Sequence, residues 1–252
     1  FRQYRKDFTA NNYYWVILSA AVLIIAVAVI KKVLGKALAK ADGEVYSPLE
    51  SKYSFPFYTL FHPADGFDQF KTRNLFSYKI IGVIFAVWFL LCSLEYFNQG
   101  FIFNNNRAID YSLATMLVKT IGIYIMFVVA NWSVCTIFDG KGTFNEILSV
   151  TAYAILPMII TKAITVILSN VLTAEEAVIM SMISTVGIIW FALILIIGLS
   201  SIHHYSVSKT ILLIIVSAIG MAVIALLIVL FYTLLKQAYN FAMSIVSELQ
   251  LR

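Results

Sequence analysis

Charge is scarce in this sequence. Asp, Glu, Lys and Arg together supply 12% of its 252 residues, about half the share found in soluble domains. With 61% apolar residues beside them, there are too few polar groups to cover a water-facing surface. The main solvent of such a chain is hydrocarbon. Cysteine is scarce too. Cys92 and Cys135 are the two present, both inside apolar runs, where a thiol behaves as a small hydrophobe. They exclude a disulfide framework.

Histidine is limited to His62, His203 and His204. All three fall in segments expected outside the apolar runs, where solvent or lipid headgroups surround them. An adjacent pair lacks the i, i+4 spacing that places two zinc ligands on one helix face. No Ser/His or paired-Asp arrangement falls within the apolar runs, so neither catalysis nor a metal or cofactor is expected. The formal charge of +5 comes from scattered Lys and Arg. That scatter argues against a nucleic-acid partner.

What is present is length of apolar run. Six stretches can cross a core of about 30 Å, which takes about 20 helical residues: Tyr13–Ile30, Ser77–Phe97, Leu113–Phe138, Ile147–Ser169, Ala177–Ser200 and Thr210–Leu235. Lipid offers nothing to unpaired backbone groups, so each must be helical. Tyr13, Tyr14 and Trp15 open the first run as an aromatic belt. The expected fold is all-α: a polytopic transmembrane helix bundle of six spans, one anchor helix plus a five-helix domain, with amphipathic helices on both faces. Residues 1–40 form a juxtamembrane segment and the anchor, 41–76 a cytoplasmic aromatic-rich linker and interfacial helix, 77–235 the five-helix domain, and 236–252 an outer amphipathic helix. The opening residues, with Arg2, Tyr4, Arg5 and Lys6, read as the continuation of an extracytoplasmic portion upstream.

Basic residues set the orientation. Lys31, Lys32, Lys36, Lys40, Lys52, Lys71, Arg73 and Lys79 lie between the first two spans, and Lys141 and Lys209 lie in later loops of that side. The opposite side carries Arg2, Arg5, Lys6, Arg107, Lys236 and Arg252, with Glu175 and Glu176 in one loop. Ten against six places both ends of the chain outside the cytoplasm.

The stretch "SPLESKYSFPFYTLFHPADGFDQFKTRNLFSYK" is more than a linker. Pro63 and Asp65 suit a helix start, and Phe67 and Phe70 share a face with Asn74 nearby. Aromatics interleaved with Lys and Arg beside a span suit a helix in the headgroup plane or a docking surface built on Phe57, Phe61, Phe67 and Phe70. In the tail "KQAYNFAMSIVSELQ", Ala238, Ala242, Ile245 and Leu249 form an apolar stripe opposite Gln237, Asn240, Ser244 and Glu248. It either extends the sixth span or lies on the outer surface, alone or under a partner.

Charges inside spans cost about 2.5–3.5 kcal/mol at the bilayer centre and mark function or pairing. Glu95 lies near the outer end of span two, and Lys119 and Lys162 each lie about 10 Å inside the same leaflet at 1.5 Å per residue. Each lysine either snorkels outward or joins Glu95 in a cluster that binds an anion or fixes helix register. Asn131, in the inner half of span three, is expected to bond a neighbouring helix. Pro157 should kink span four. The run Asp139, Gly140, Lys141, Gly142 is not a phosphate loop, because Cys135 stands where the first glycine is needed. It reads as a cytoplasmic turn, with Thr143 and Glu146 spaced as a capping box for the next helix.

The stretches "FHPADGF", "NW", "DGKGTFNEI" and "HHYS" with Lys209 resemble the Yip family, the Ypt-interacting-protein domain, in its bacterial form. The resemblance spans about residues 55 to 235. It implies a five-helix membrane domain without known catalysis. Eukaryotic members are linked to small-GTPase-dependent vesicle traffic, but their Asp-Leu-Tyr-Gly-Pro motif is missing here. Bacterial members are often encoded beside ATP-binding-cassette sugar importers, which implies an accessory role in a hetero-oligomer with permease and ATPase subunits in a bacterial cell membrane. Two function classes follow. One is a non-enzymatic scaffold bound to another membrane complex. The other is a transporter or channel whose path is lined by Glu95, Lys119, Lys162 and Asn131.

Overall fold

The computed structural model describes residues 55–73, 75–100, 102–104 and 111–250. The first apolar run, most of the basic segment after it, Asn74 and Arg107 lie outside the described residues. Among those described, the architecture is all-helical, and five helices are long and apolar enough to cross a bilayer. Two short helices, α1 (Phe55–Phe61) and α2 (Pro63–Arg73), precede the first of these, α3 (Tyr78–Asn98). There follow α4 (Leu113–Ile137), a fourth-run span made of α5 (Phe144–Ala154) and α6 (Leu156–Leu168), α7 (Ala177–His203) and α8 (Val207–Gln250). Helix α7 packs against α2, α5 and α6, while α3 lies against α5 and α6, and α8 against α4 and α7.

Local chemistry explains the interruptions. Pro157 has no N–H to give the Tyr153 carbonyl four residues earlier, and its ring crowds that turn. The span accordingly breaks at Ile155, between α5 and α6. Helix α4 carries a wider turn at Val118–Gly122, where the Ile123 N–H reaches back five residues to the Val118 carbonyl. Such π-turns insert one extra residue and shift the faces on either side. The opposite end of the bundle is stitched loop to loop. The Gly100 N–H donates to Ser169 Oγ at 3.0 Å, and Asn170 Nδ2 donates to the Asn98 carbonyl at 3.0 Å. A methyl group on Gly100 would meet the Ser169 carbonyl oxygen at 1.9 Å, so only glycine allows that approach.

The core centres on Tyr153, fully buried with Phe55, Phe67 and Phe70 around it. Ring centroids lie 6.3, 6.5 and 6.0 Å from that of Tyr153, inside the range of favourable aromatic pairs. This corrects the expected headgroup surface. Phe67 and Phe70 are 0% and 1% exposed, and of the four phenylalanines only Phe57 (38%) and Phe61 (67%) face outward. The reason is space on α7. Gly198 has no side chain, and a Cβ there would sit 2.9 Å from the Phe67 ring.

Helices α1 and α2 therefore form a hairpin wedged into the bundle. Trp190 Nε1 donates to the Leu60 carbonyl at 3.1 Å. Trp190 lies thirteen residues before His203, about 20 Å along α7 at 1.5 Å per residue. Lys71 Nζ meanwhile donates to the Ile202 carbonyl at the end of α7, at 2.6 Å. The hairpin thus rises to about half the height of α7 and returns.

The tail does not fold back. Helix α8 runs unbroken for 44 residues, extending the last of the five described spans as a single rod.

Candidate functional site

Three of the four marked stretches meet at one end of the bundle, around the turn after α4. Asp139 adopts the left-handed conformation there with φ 60°, and the Gly140 N–H closes the turn onto the Cys135 carbonyl at 2.7 Å. Neither Gly140 nor Gly142 has a positive φ. Both are glycine for room: a Cβ on Gly140 would lie 2.6 Å from His203 Nδ1, and one on Gly142 would lie 2.7 Å from His203 Cε1. The expected capping box is formed. Thr143 Oγ1 accepts from the Glu146 N–H at 3.4 Å, and Glu146 Oε2 accepts from the Thr143 N–H at 2.7 Å.

His203 was expected in a solvated or headgroup-facing position; it is instead 2% exposed. Its Nδ1 accepts from the Gly142 N–H at 3.2 Å, which leaves the ring proton on Nε2. That nitrogen is buried and has no acceptor among the described residues. The imidazole stacks on Tyr205, with centroids 5.3 Å apart and planes 10° from parallel. His204, in the left-handed conformation at φ 57°, ends α7 and stays exposed.

Two lysines then close the helix ends. Lys71 reaches the Ile202 carbonyl of α7, and Lys209 Nζ donates to the Phe138 carbonyl of α4 at 3.2 Å. A cation at the carbonyl end of a helix is favoured by about 0.3–1 kcal/mol. The Tyr205 hydroxyl donates to the same Phe138 oxygen at 2.8 Å, and Lys209 Nζ stands 3.9 Å from the Tyr205 ring centre. Burial first, then the neighbouring Cys135 and Asp139, holds the Tyr205 phenol above its ordinary pKa. It therefore keeps the proton it donates. Ser201 Oγ donates to Asp68 Oδ1 at 2.5 Å and ties α2 to the same knot. Lys141 itself is exposed at the turn.

The four expected intramembrane residues divide. Lys162 Nζ pairs with Glu95 Oε2 at 2.5 Å, joining α6 to α3, with both side chains partly exposed at 25% and 31%. The ammonium also lies 5.6 Å from the Trp88 ring centre. Lys119 is exposed in the π-wound turn, and among the described residues no ion pair links it to Glu95. Asn131 is buried far along α4, where its Nδ2 donates to Ser217 Oγ of α8 at 3.0 Å and its Oδ1 accepts from Cys135 Sγ at 3.7 Å. Trp132 beside it packs edge-on against Phe144 at the start of α5. A single cluster of four is thus replaced by an ion pair near one end, an amide clamp near the other and an exposed lysine. The shift comes from helix pairing: α4 gives its Asn131 face to α8, while α3 gives its Glu95 face to α6.

Apolar spans, polar side chains that join helices and an amphipathic hairpin define a polytopic α-helical membrane protein. The family is more specific. The family model of the Yip1 domain matches residues 57–243, and the chain belongs to that family. No curated protein and no solved structure matches it.

Proposed function

We propose that the chain is a non-catalytic membrane scaffold, an accessory subunit that holds to another membrane complex through its helix faces. One observation carries this reading: of the four residues that would line a solute path, Glu95, Lys162 and Asn131 are engaged in contacts that join helices, and Lys119 lies exposed. Glu95 takes Lys162, Asn131 takes Ser217, and Gly142 takes His203. A group so engaged fixes helix register, and breaking the contact to serve a solute costs the bond. The surface left over is apolar, as on Ile188, Ile189 and Leu193 of α7 and Ile215, Ile219 and Val223 of α8. Such a surface suits lipid or another membrane helix.

The partner implied by the family resemblance is an ATP-binding-cassette sugar importer, with its permease and ATPase subunits, in a bacterial cell membrane. On the basic-residue tally, the turn at Asp139–Gly142 lies on the cytoplasmic side and the C-terminus outside. The test is purification of tagged chain in a gentle detergent, with mass spectrometry of what accompanies it. Stoichiometric permease and ATPase subunits support the proposal. Solute flux by the purified chain alone in liposomes overturns it in favour of a carrier.

A further inference from the structure

Helix α8 is too long for the membrane it crosses. Its 44 residues extend about 66 Å at 1.5 Å per residue. Even at a tilt of about 40°, the upper end of what spanning helices show, it rises about 50 Å, against a hydrocarbon core of about 30 Å. Its start is fixed by the Lys209 contact to Phe138, which sets it level with the end of α4. Helix α4 has 25 residues, so α8 passes the far end of α4 near residue 233. The remaining residues project about 25 Å past the bundle. Between Gly220 and Gln250 the helix holds no Gly or Pro, and nothing else in its sequence would turn it down onto the headgroups.

The upper part of α8, from just below that level into the projection, carries a repeat. Leu227, Phe231, Leu234, Ala238, Phe241 and Ile245 alternate at spacings of four and three, the a and d pattern of a coiled coil. Thr233, Lys236, Gln237, Asn240, Ser244 and Ser247 fall off this seam. The same phasing lower down, at Thr210, Leu213 and Ser217, is buried in the bundle. Above it the seam is bare: Leu227, Phe231, Leu234 and Phe241 are between 57% and 69% exposed. We propose that this seam is covered by a second copy of the chain, forming a parallel helical pair on the C-terminal side of the membrane.

Two features favour a like partner. Copies inserted the same way present parallel helices, so each seam residue meets its own counterpart, and a charge there would meet itself. From Leu227 to Ile245 the seam holds none, Glu248 at the next position of the repeat marks its end, and Lys236 falls off the seam. The area is also adequate. Large aromatics bury about 150–250 Å² each. At the observed exposures the seam and its flank Leu235 offer on the order of 600 Å² per copy, or about 1,200 Å² in a pair, the lower bound of specific interfaces. This inference does not depend on the scaffold reading or on the nature of any importer.

The test uses the full chain in native membranes, with single cysteines introduced at Leu234, Ala238, Phe241, Lys236 and Asn240 and disulfide formation driven by a mild oxidant. Cys92 and Cys135 are buried and serve as the background. The expected result is covalent dimer from Leu234→Cys, Ala238→Cys and Phe241→Cys, and at least fivefold less from Lys236→Cys and Asn240→Cys. Equal yield from both faces overturns the proposal. So does monomer throughout, whether the seam cysteines label with maleimide, as on a bare or lipid-covered face, or resist it, as under another chain. A second measurement guards against misfolding. Phe241→Asp lies outside the bundle, and light scattering should show its protein–detergent particle falling from two chains to one while Cys92 stays protected. A wild-type particle that already holds one chain overturns the proposal.

Discussion

At the scale of the residue, the glycines of the turn are set by a ring sixty positions away. Gly142→Ala brings a methyl group to 2.7 Å from His203 Cε1, and the buried imidazole has little room to yield. The expected cost is about 1–3 kcal/mol, the usual range for overpacking, seen as a lower thermal midpoint in detergent. Gly82→Ala is the control, because nothing lies within 4 Å of its added carbon and alanine favours a helix interior by about 1 kcal/mol. An unchanged midpoint for Gly142→Ala would contradict the packing described. The ion pair is tested by reversal. Glu95→Lys sets two lysines against each other and should sharply reduce folded yield in the membrane, whereas adding Lys162→Glu should restore most of it. If the double reversal behaves no better than the single, the two residues do not act as a pair. Sequence spacing was enough to read the Thr143 and Glu146 box, since its partners are three positions apart. The need for glycine at 140 and 142 was not readable, because His203 reaches them only through the packing of α7.

At the scale of the element, length and apolarity were sufficient to find the five described spans, and the break at Pro157 follows from one missing donor. The hairpin was a different matter. Phe67 and Phe70 share a helix face whether they meet headgroups or protein, and amphipathicity alone does not distinguish the two. The deciding residue is Gly198, distant in sequence and unremarkable within an apolar run. Gly198→Leu should evict Phe67 and release α2 from α7. The Lys71 and Asp68 contacts go with it, so limited proteolysis after Lys71 should quicken several-fold while α7 remains protected. Cleavage at the wild-type rate would show that the wedge does not depend on that gap.

At the scale of the whole molecule, one prediction concerns which side is which. A cysteine at Lys141, on an exposed turn, should resist membrane-impermeant maleimide in intact cells and react after permeabilisation, while one at Glu175 should react at once. The reverse pattern would exchange the two faces and with them the side on which partners are sought. The relation among Glu95, Lys119, Lys162 and Asn131 belongs to this scale too. Depth along each span can be counted from sequence, but the direction each side chain faces depends on which helices become neighbours, and only the assembled bundle fixes that.

The seating of the hairpin also has a consequence for biosynthesis. Lys71 and its acceptor on Ile202 are 131 residues apart, an interval of about 6–26 s at ordinary rates of chain elongation. Throughout that delay Phe67 and Phe70 have emerged while the groove that receives them has not been made. The newborn chain must shelter those rings in the lipid surface or against an assisting protein, and a pause in translation before α7 would prolong the period in which it is open to misassembly.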